Sequence, residues 1–226
     1  MDARWMGLAL ALVGCAESVE PRAAVVSELC GVEAADWDAS AFGEVAVHGP
    51  CARAIAEDLG VTGDLEGAGP EASAIAGGLA LLAWDWGTVE PGLTPLDERL
   101  ASVSADTGER ALGRVAYDWV AHQVHAVRAG HTENGAARWR PLTRTIVWDD
   151  PLSAPSAAGV LVHEARHGDG VRHERCPNGQ RACDADAEGA YGFERDLLER
   201  AAAQSDGAVA DTLWALADEA GQHVLD

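Results

Sequence analysis

Along the 226-residue chain, apolar positions recur at helical spacing in blocks divided by glycine- and proline-rich breaks. Pro21-Arg22-Ala23 to Cys30 predicts a short helix. Gly49-Pro50 leads into a second one, Cys51 to Leu59, which Gly60 stops. Gly60 to Pro70 holds four glycines with little apolar content and reads as a loop. From Pro70 to about Trp86 apolar residues dominate almost all round, the pattern of a core helix, with Gly77-Gly78 interrupting it. Pro91 and Pro95 bracket a turn, and Leu96 to Ser102 is short and helical at best.

Thr107 to Gly130 is the longest periodic stretch. Leu112, Val115, Ala116, Trp119, Val120, Val124 and Val127 predict one helix, capped by Thr107 and ended by Gly130, packed behind the helix that follows. Thr143 to Trp148 is rich in β-branched and aromatic residues and predicts a strand. Pro155 and the apolar Gly159-Val160-Leu161-Val162 then open a further helix. Two more helices, about Ala187 to Gln204 and Ala208 to His223, follow it. The expected fold is mainly α with a small β element (α+β).

Composition adds constraints. All 16 basic residues are arginine, and the net charge of −21 repels phosphate backbones, which argues against nucleic-acid binding. Most of that charge is expected on a solvated face. At the N-terminus, Arg4 precedes an apolar run from Trp5 to Val13, too short to span a bilayer. It ends in Leu12-Val13-Gly14-Cys15, which resembles a bacterial lipobox. The resemblance implies a signal peptide over 1–14, lipid attachment to Cys15, a tether over 15–20 and delivery to the cell envelope, with the outer membrane favoured. A cleaved leader without lipid is the alternative. Residues 21–226 are then expected to form one domain. Four cysteines remain, and proximity in an exported chain favours the disulfides Cys30–Cys51 and Cys176–Cys183. Free thiols or soft metal ligands are the other reading.

The densest chemistry lies in His163-Glu164-Ala165-Arg166-His167-Gly168-Asp169-Gly170-Val171-Arg172-His173. On a helix, His163 and His167 are four apart and share a face, which suits two imidazole ligands of Zn²⁺. Glu164, one step round, is poorly placed to ligate but placed to act as a general base. Gly170 permits a tight turn that can return His173 as a third nitrogen ligand. Three protein ligands leave a fourth position open, the arrangement of catalytic zinc sites. His122 and His125, three apart, lack a third partner at ligand spacing and are expected on a half-exposed polar face.

At His163, Glu164, His167, Gly170 and His173 the stretch resembles the zinc signature of the metzincin metallopeptidases. The resemblance implies a zincin-like active-site helix with one or more cleft-edge strands, a zinc cofactor, a peptide or protein substrate, and Glu164 as the catalytic base. It implies that the strand upstream of the helix pairs with extended substrate, although a plain core strand fits Thr143 to Trp148 equally well. Tyr191, between Gly189-Ala190 and Gly192, is a candidate for binding a developing oxyanion, as a tyrosine does in some metzincins, or for packing. Metzincins carry a methionine turn beneath the metal, whereas the only methionines here are Met1 and Met6, so the floor of the site must be built otherwise. In the other main zincin branch a later glutamate is the third ligand, and Glu188 or Glu194 would take that place if His173 pointed away. Asp184 to Gly189 has a passing likeness to a calcium loop, but acidic residues opening a helix explain it more simply. A zinc-holding envelope protein that binds a partner or cell-wall component and cuts nothing is the rival function.

Overall fold

A computed structural model of the protein describes residues 112–225, except 130, 133–136, 150–151, 178, 180–181, 204 and 206. The expected signal peptide, Cys15, the Cys30–Cys51 pairing and the elements expected before Leu112 lie outside the described residues.

Helix α1 covers Leu112–Gln123 and buries Ala116, Tyr117, Trp119 and Val120. The helix expected to continue to Gly130 stops here, and Ala126–Ala129 forms strand β1 instead. Two contacts explain the change. Arg144 donates from its Nε to the Gln123 carbonyl at 2.7 Å and from Nη2 to the His122 carbonyl, so a side chain from elsewhere satisfies the last carbonyls of α1. The backbone of His125 then donates to the Arg144 carbonyl, which starts the chain alongside the next strands. Tertiary pairing overrides local helical spacing in a segment whose Val124 and Val127 are equally at home in a strand.

Strands β2 (Ala137–Arg140) and β3 (Thr145–Trp148) complete a sheet of order β1-β3-β2. β3 is parallel to β1 and antiparallel to β2, and all four of its residues are buried. It is therefore a core strand with partners on both edges, and cannot itself pair with an extended ligand. β2 is at the edge of the sheet among the described residues, a strand that the hydrophobic pattern did not reveal.

Helix α2 spans Ala154–His167. Ser153 caps it by accepting the Ser156 N–H, and Pro155 sits in its first turn, where the missing N–H costs nothing. Its Leu161, Val162 and Ala165 are fully buried, each larger side chain stabilising the fold by about 1.5–3 kcal/mol. The opposite face carries His163 and His167. α2 packs against α1, β2 and helix α3 (Ala190–Ala203), and helix α4 (Gly207–Gly221) packs on α3 through Leu213, Ala217 and Ala220. Trp119 of α1 meets Phe193 of α3 with ring centroids 5.8 Å apart, closing the core behind α2. Among the described residues no helix is long and apolar enough to cross a membrane.

Candidate metal centre

His163 and His167 project from one face of α2. Past His167 the chain tightens, with Gly168 donating to the Ala165 carbonyl and Gly170 to that of His167. Gly170 then takes φ +88°, a left-handed conformation that favours glycine, and the chain doubles back to bring His173 over the helix. His173 Nε2 lies 3.1 Å from His163 Nε2 and 3.1 Å from His167 Nε2. Tetrahedral Zn–N bonds of about 2.0–2.1 Å would set ligand nitrogens roughly 3.3 Å apart, so the three imidazoles fit one such ion.

Tautomer logic strengthens the fit. Each ring donates its other nitrogen to an acceptor that has no proton to give: His163 Nδ1 to Glu194 Oε2 at 3.0 Å, His167 Nδ1 to the Val171 carbonyl at 2.9 Å, and His173 Nδ1 to Asp184 Oδ1 at 2.9 Å. Each Nδ1 therefore carries a proton, and each neutral ring turns its Nε2 lone pair inward. When all three rings are neutral, their Nε2 lone pairs face one another, and a cation between them satisfies all three at once. The donor set suits Zn²⁺ or a similar divalent transition ion.

The electrostatics follow from these partners. Burial works against protonation of His163, but the hydrogen bond and charge of Glu194 outweigh it, and its pKa rises above 6.5. Burial and the neighbouring His163 bring His167 down to about 4. Burial also acts on Asp184, which is 1% exposed, yet the hydrogen bonds from His173, Gly192 and Tyr191 prevail and its pKa falls below the usual carboxylate value.

Glu164 is 6% exposed, and burial raises its pKa despite the nearby imidazoles. Its carboxylate accepts the backbone N–H of Trp139, and Oε2 has no partner among the described residues. Because the Trp139 N–H points to Glu164 and not to β3, Trp139 and Ile146 form a non-hydrogen-bonded pair, and the outer edge of β2 faces the site. An open cleft of about 670 Å³ runs there, lined by Val160, the three histidines, Glu164, Tyr191, β2 and the loop to His173.

The floor of the site is aromatic. The Tyr191 ring meets His163 edge-on at 4.4 Å and His173 at 4.9 Å, and His223 stacks beneath it at 4.3 Å. Burial, followed by Glu194 and Asp184, pushes the Tyr191 pKa up to about 12, so the phenol keeps its proton. His223 donates Nδ1 to the Ala182 carbonyl, and the backbone of Leu225 donates to the Asp184 carbonyl, tying the last described residues to the site.

Of the residues singled out from sequence, His163, Glu164, His167, His173 and Tyr191 come together. Cys176 and Cys183 form the expected disulfide, with the short bridge Glu174–Cys183 beside it. Glu194 is near but takes the Nδ1 of His163, and Glu188 contributes only its carbonyl, to Arg166. His122 and His125 are exposed and stand apart from the site. Asp184 opens α3 by accepting the N–H groups of Tyr191 and Gly192, which accounts for the acidic run without calcium. Asp184 as the partner of His173, His223, and Arg166, which binds the Glu188 carbonyl and covers Phe193 at 4.2 Å, were not foreseen. Their roles depend on contacts across the fold; only the Arg166–Asp169 pair, three apart, has a local signature.

No family model, curated protein or solved structure matches the chain.

Proposed function

We propose that the protein is a zinc-dependent hydrolase of the metallopeptidase kind, resembling metzincins in its ligand signature, and that after removal of the 1–14 leader, lipid on Cys15 anchors it in the bacterial cell envelope. The observation that carries the reading is the convergence of three imidazole Nε2 atoms beside a buried carboxylate whose Oε2 has no hydrogen-bond partner among the described residues. His163, His167 and His173 would hold the ion. When bound, Zn²⁺ supplies Lewis-acid activation of water and of a carbonyl.

The chain's own groups supply the rest. Glu164 has a raised pKa because it is buried, which makes it a better proton acceptor than an exposed carboxylate. Its Oε2 is buried and holds no hydrogen-bond partner among the described residues, so it would take a proton from a water admitted beside the histidines, and the same carboxyl can pass that proton to a leaving amine. The Trp139 N–H fixes the orientation of the carboxylate throughout. The outer edge of β2 offers main-chain groups to an extended peptide, the part first expected of Thr143 to Trp148. Tyr191 keeps its phenol protonated at neutral pH and lines the cleft, which supports a role as donor to a developing oxyanion in addition to packing.

Metal analysis combined with peptide-library cleavage tests the reading. Wild type should carry about one zinc per chain, and Glu164→Gln should keep the metal while losing turnover by about 10²–10⁴-fold. Protein that takes up no metal would sink the proposal. Metal uptake with no cleavage, and no effect of Glu164→Gln, would favour a zinc-holding binding protein instead.

A further inference from the structure

Net charge alone would suggest that this chain attracts basic ligands. The cleft is built differently. From position 136 to 147 the sequence holds Arg138, Arg140 and Arg144 and no acidic residue. Arg144 is taken up by the end of α1. Arg138 and Arg172 line the cleft, both exposed, and neither guanidinium makes a hydrogen bond or ion pair to any described residue. Their positions are informative. Arg138 precedes Trp139, whose N–H holds Glu164, and Arg172 precedes His173, the third imidazole. Each guanidinium therefore stands one residue from a group that builds the centre, on two different walls. Arg140 lies two residues along β2 on the same face as Arg138, about 7 Å away, and is also exposed. The acidic side chains lining the cleft are engaged or buried: Glu194 holds His163, and Glu164 is 6% exposed, with the Trp139 N–H on its carboxylate.

We infer that the cleft selects acidic peptide segments, with Arg138 and Arg172 pairing with carboxylates of the bound chain; the inference rests on reading the cleft as a peptide site. Guanidinium groups match carboxylates with paired, planar hydrogen bonds. Distant negative charge on the protein opposes this weakly, because salt screens it beyond about 8–10 Å. An extended ligand along β2 turns alternate side chains to one face, so carboxylates spaced two apart would meet Arg138 and Arg140 in step.

The test measures binding to metal-loaded Glu164→Gln protein by fluorescence anisotropy. The probes are labelled ten-residue peptides alternating Ala with Glu, with Gln or with Lys. The Glu peptide should bind about tenfold tighter than the Gln peptide, and the Lys peptide weakest. Arg138→Gln and Arg172→Gln should each lose about two- to fivefold for the Glu peptide only, as expected of exposed ion pairs, and the double variant should abolish the preference. Zinc stoichiometry, which these exposed side chains do not support, should stay at one and shows that the variants are folded. Equal binding of the Glu and Gln peptides overturns the inference, as does a preference that survives in the double variant. Displacement by a sulfated polysaccharide at equal potency also overturns it, in favour of an unselective polyanion site. Library cleavage by wild type without charge preference would leave the hydrolase reading standing and remove this one. An arginine-dependent preference without any cleavage would do the reverse.

Discussion

Asp184 joins His173 to the start of α3: Oδ1 accepts His173 Nδ1 at 2.9 Å, while Oδ2 accepts the backbone N–H groups of Tyr191 and Gly192. Both sides need an acceptor, and only an ionised carboxylate offers two. Asp184→Asn must turn its amide N–H₂ toward one set of donors. It should lose about 1.5–3 kcal/mol of stability and weaken zinc binding roughly 10–100-fold, measurable by thermal melts and chelator competition. The depressed pKa has a defined sign. Its contribution to stability is full above the ordinary value of 3.8 and disappears as pH falls through the lower folded value, and the variant should lose that acid-limb dependence.

Gly159 sets how closely α3 approaches α2. A Cβ there would stand 3.1 Å from Glu194 Oε1 and 3.2 Å from Leu198 Cδ1. Gly159→Ala should push α3 outward and loosen the Glu194–His163 hydrogen bond one turn away. A destabilisation of about 1–3 kcal/mol with weaker zinc retention is expected, and Leu198→Ala in the same background should recover part of the retention.

Proton release on metal binding should be uneven across the ligands. His163 has a raised pKa, so below that value its proton must leave before a metal can bind, and affinity should fall up to about tenfold per pH unit on acidification. His167, at about 4, is already neutral in that range and adds a second proton only near its own pKa. Calorimetry in buffers of different ionisation enthalpy should find that the number of protons released per zinc rises as pH is lowered from about 8 to about 6. In Glu194→Gln the number should drop, because the partner that favours the charged ring is gone.

Two glycines near the site should respond differently to alanine. At Gly170 the cost is backbone strain alone, about 1–2 kcal/mol, since φ is +88° but no atom lies within 4 Å of the added carbon. At Gly189 the added carbon would fall 2.1 Å from Asp184 Cγ, so Asp184 itself must move. Gly170→Ala should keep zinc affinity within a few-fold. Gly189→Ala should reduce it at least as much as Asp184→Asn does, read by the same chelator titration.

How far the site could be read from sequence depended on whether its parts are local. His163 and His167 are fixed by helical spacing and His173 by the Gly170 turn, all within eleven residues. The groups that orient them are not local: Glu194 is 31 residues from His163 and Asp184 is 11 from His173. In sequence alone, Glu194 suits a substitute ligand and Asp184 a calcium-like loop; their hydrogen bonds to the imidazoles arise only from packing across the fold. Val124 to Ala129 kept a helical spacing that only the pairing with β3 reverses. Ala137-Arg138-Trp139-Arg140 does alternate apolar with charged residues, but over four positions only, too short a run to announce a strand without its pairing to β3.

The tie between Asp184 and residues 223–225 has a consequence for the order in which the centre comes into being. During synthesis, the first two imidazoles emerge on a helix that can form early, yet the third is steadied by a carboxylate whose own backbone waits for Leu225. Tight capture of an ion therefore requires residues 223–225 to be in place, and a nascent chain that has not yet extended through Leu225 would hold metal loosely, its third imidazole unsteadied.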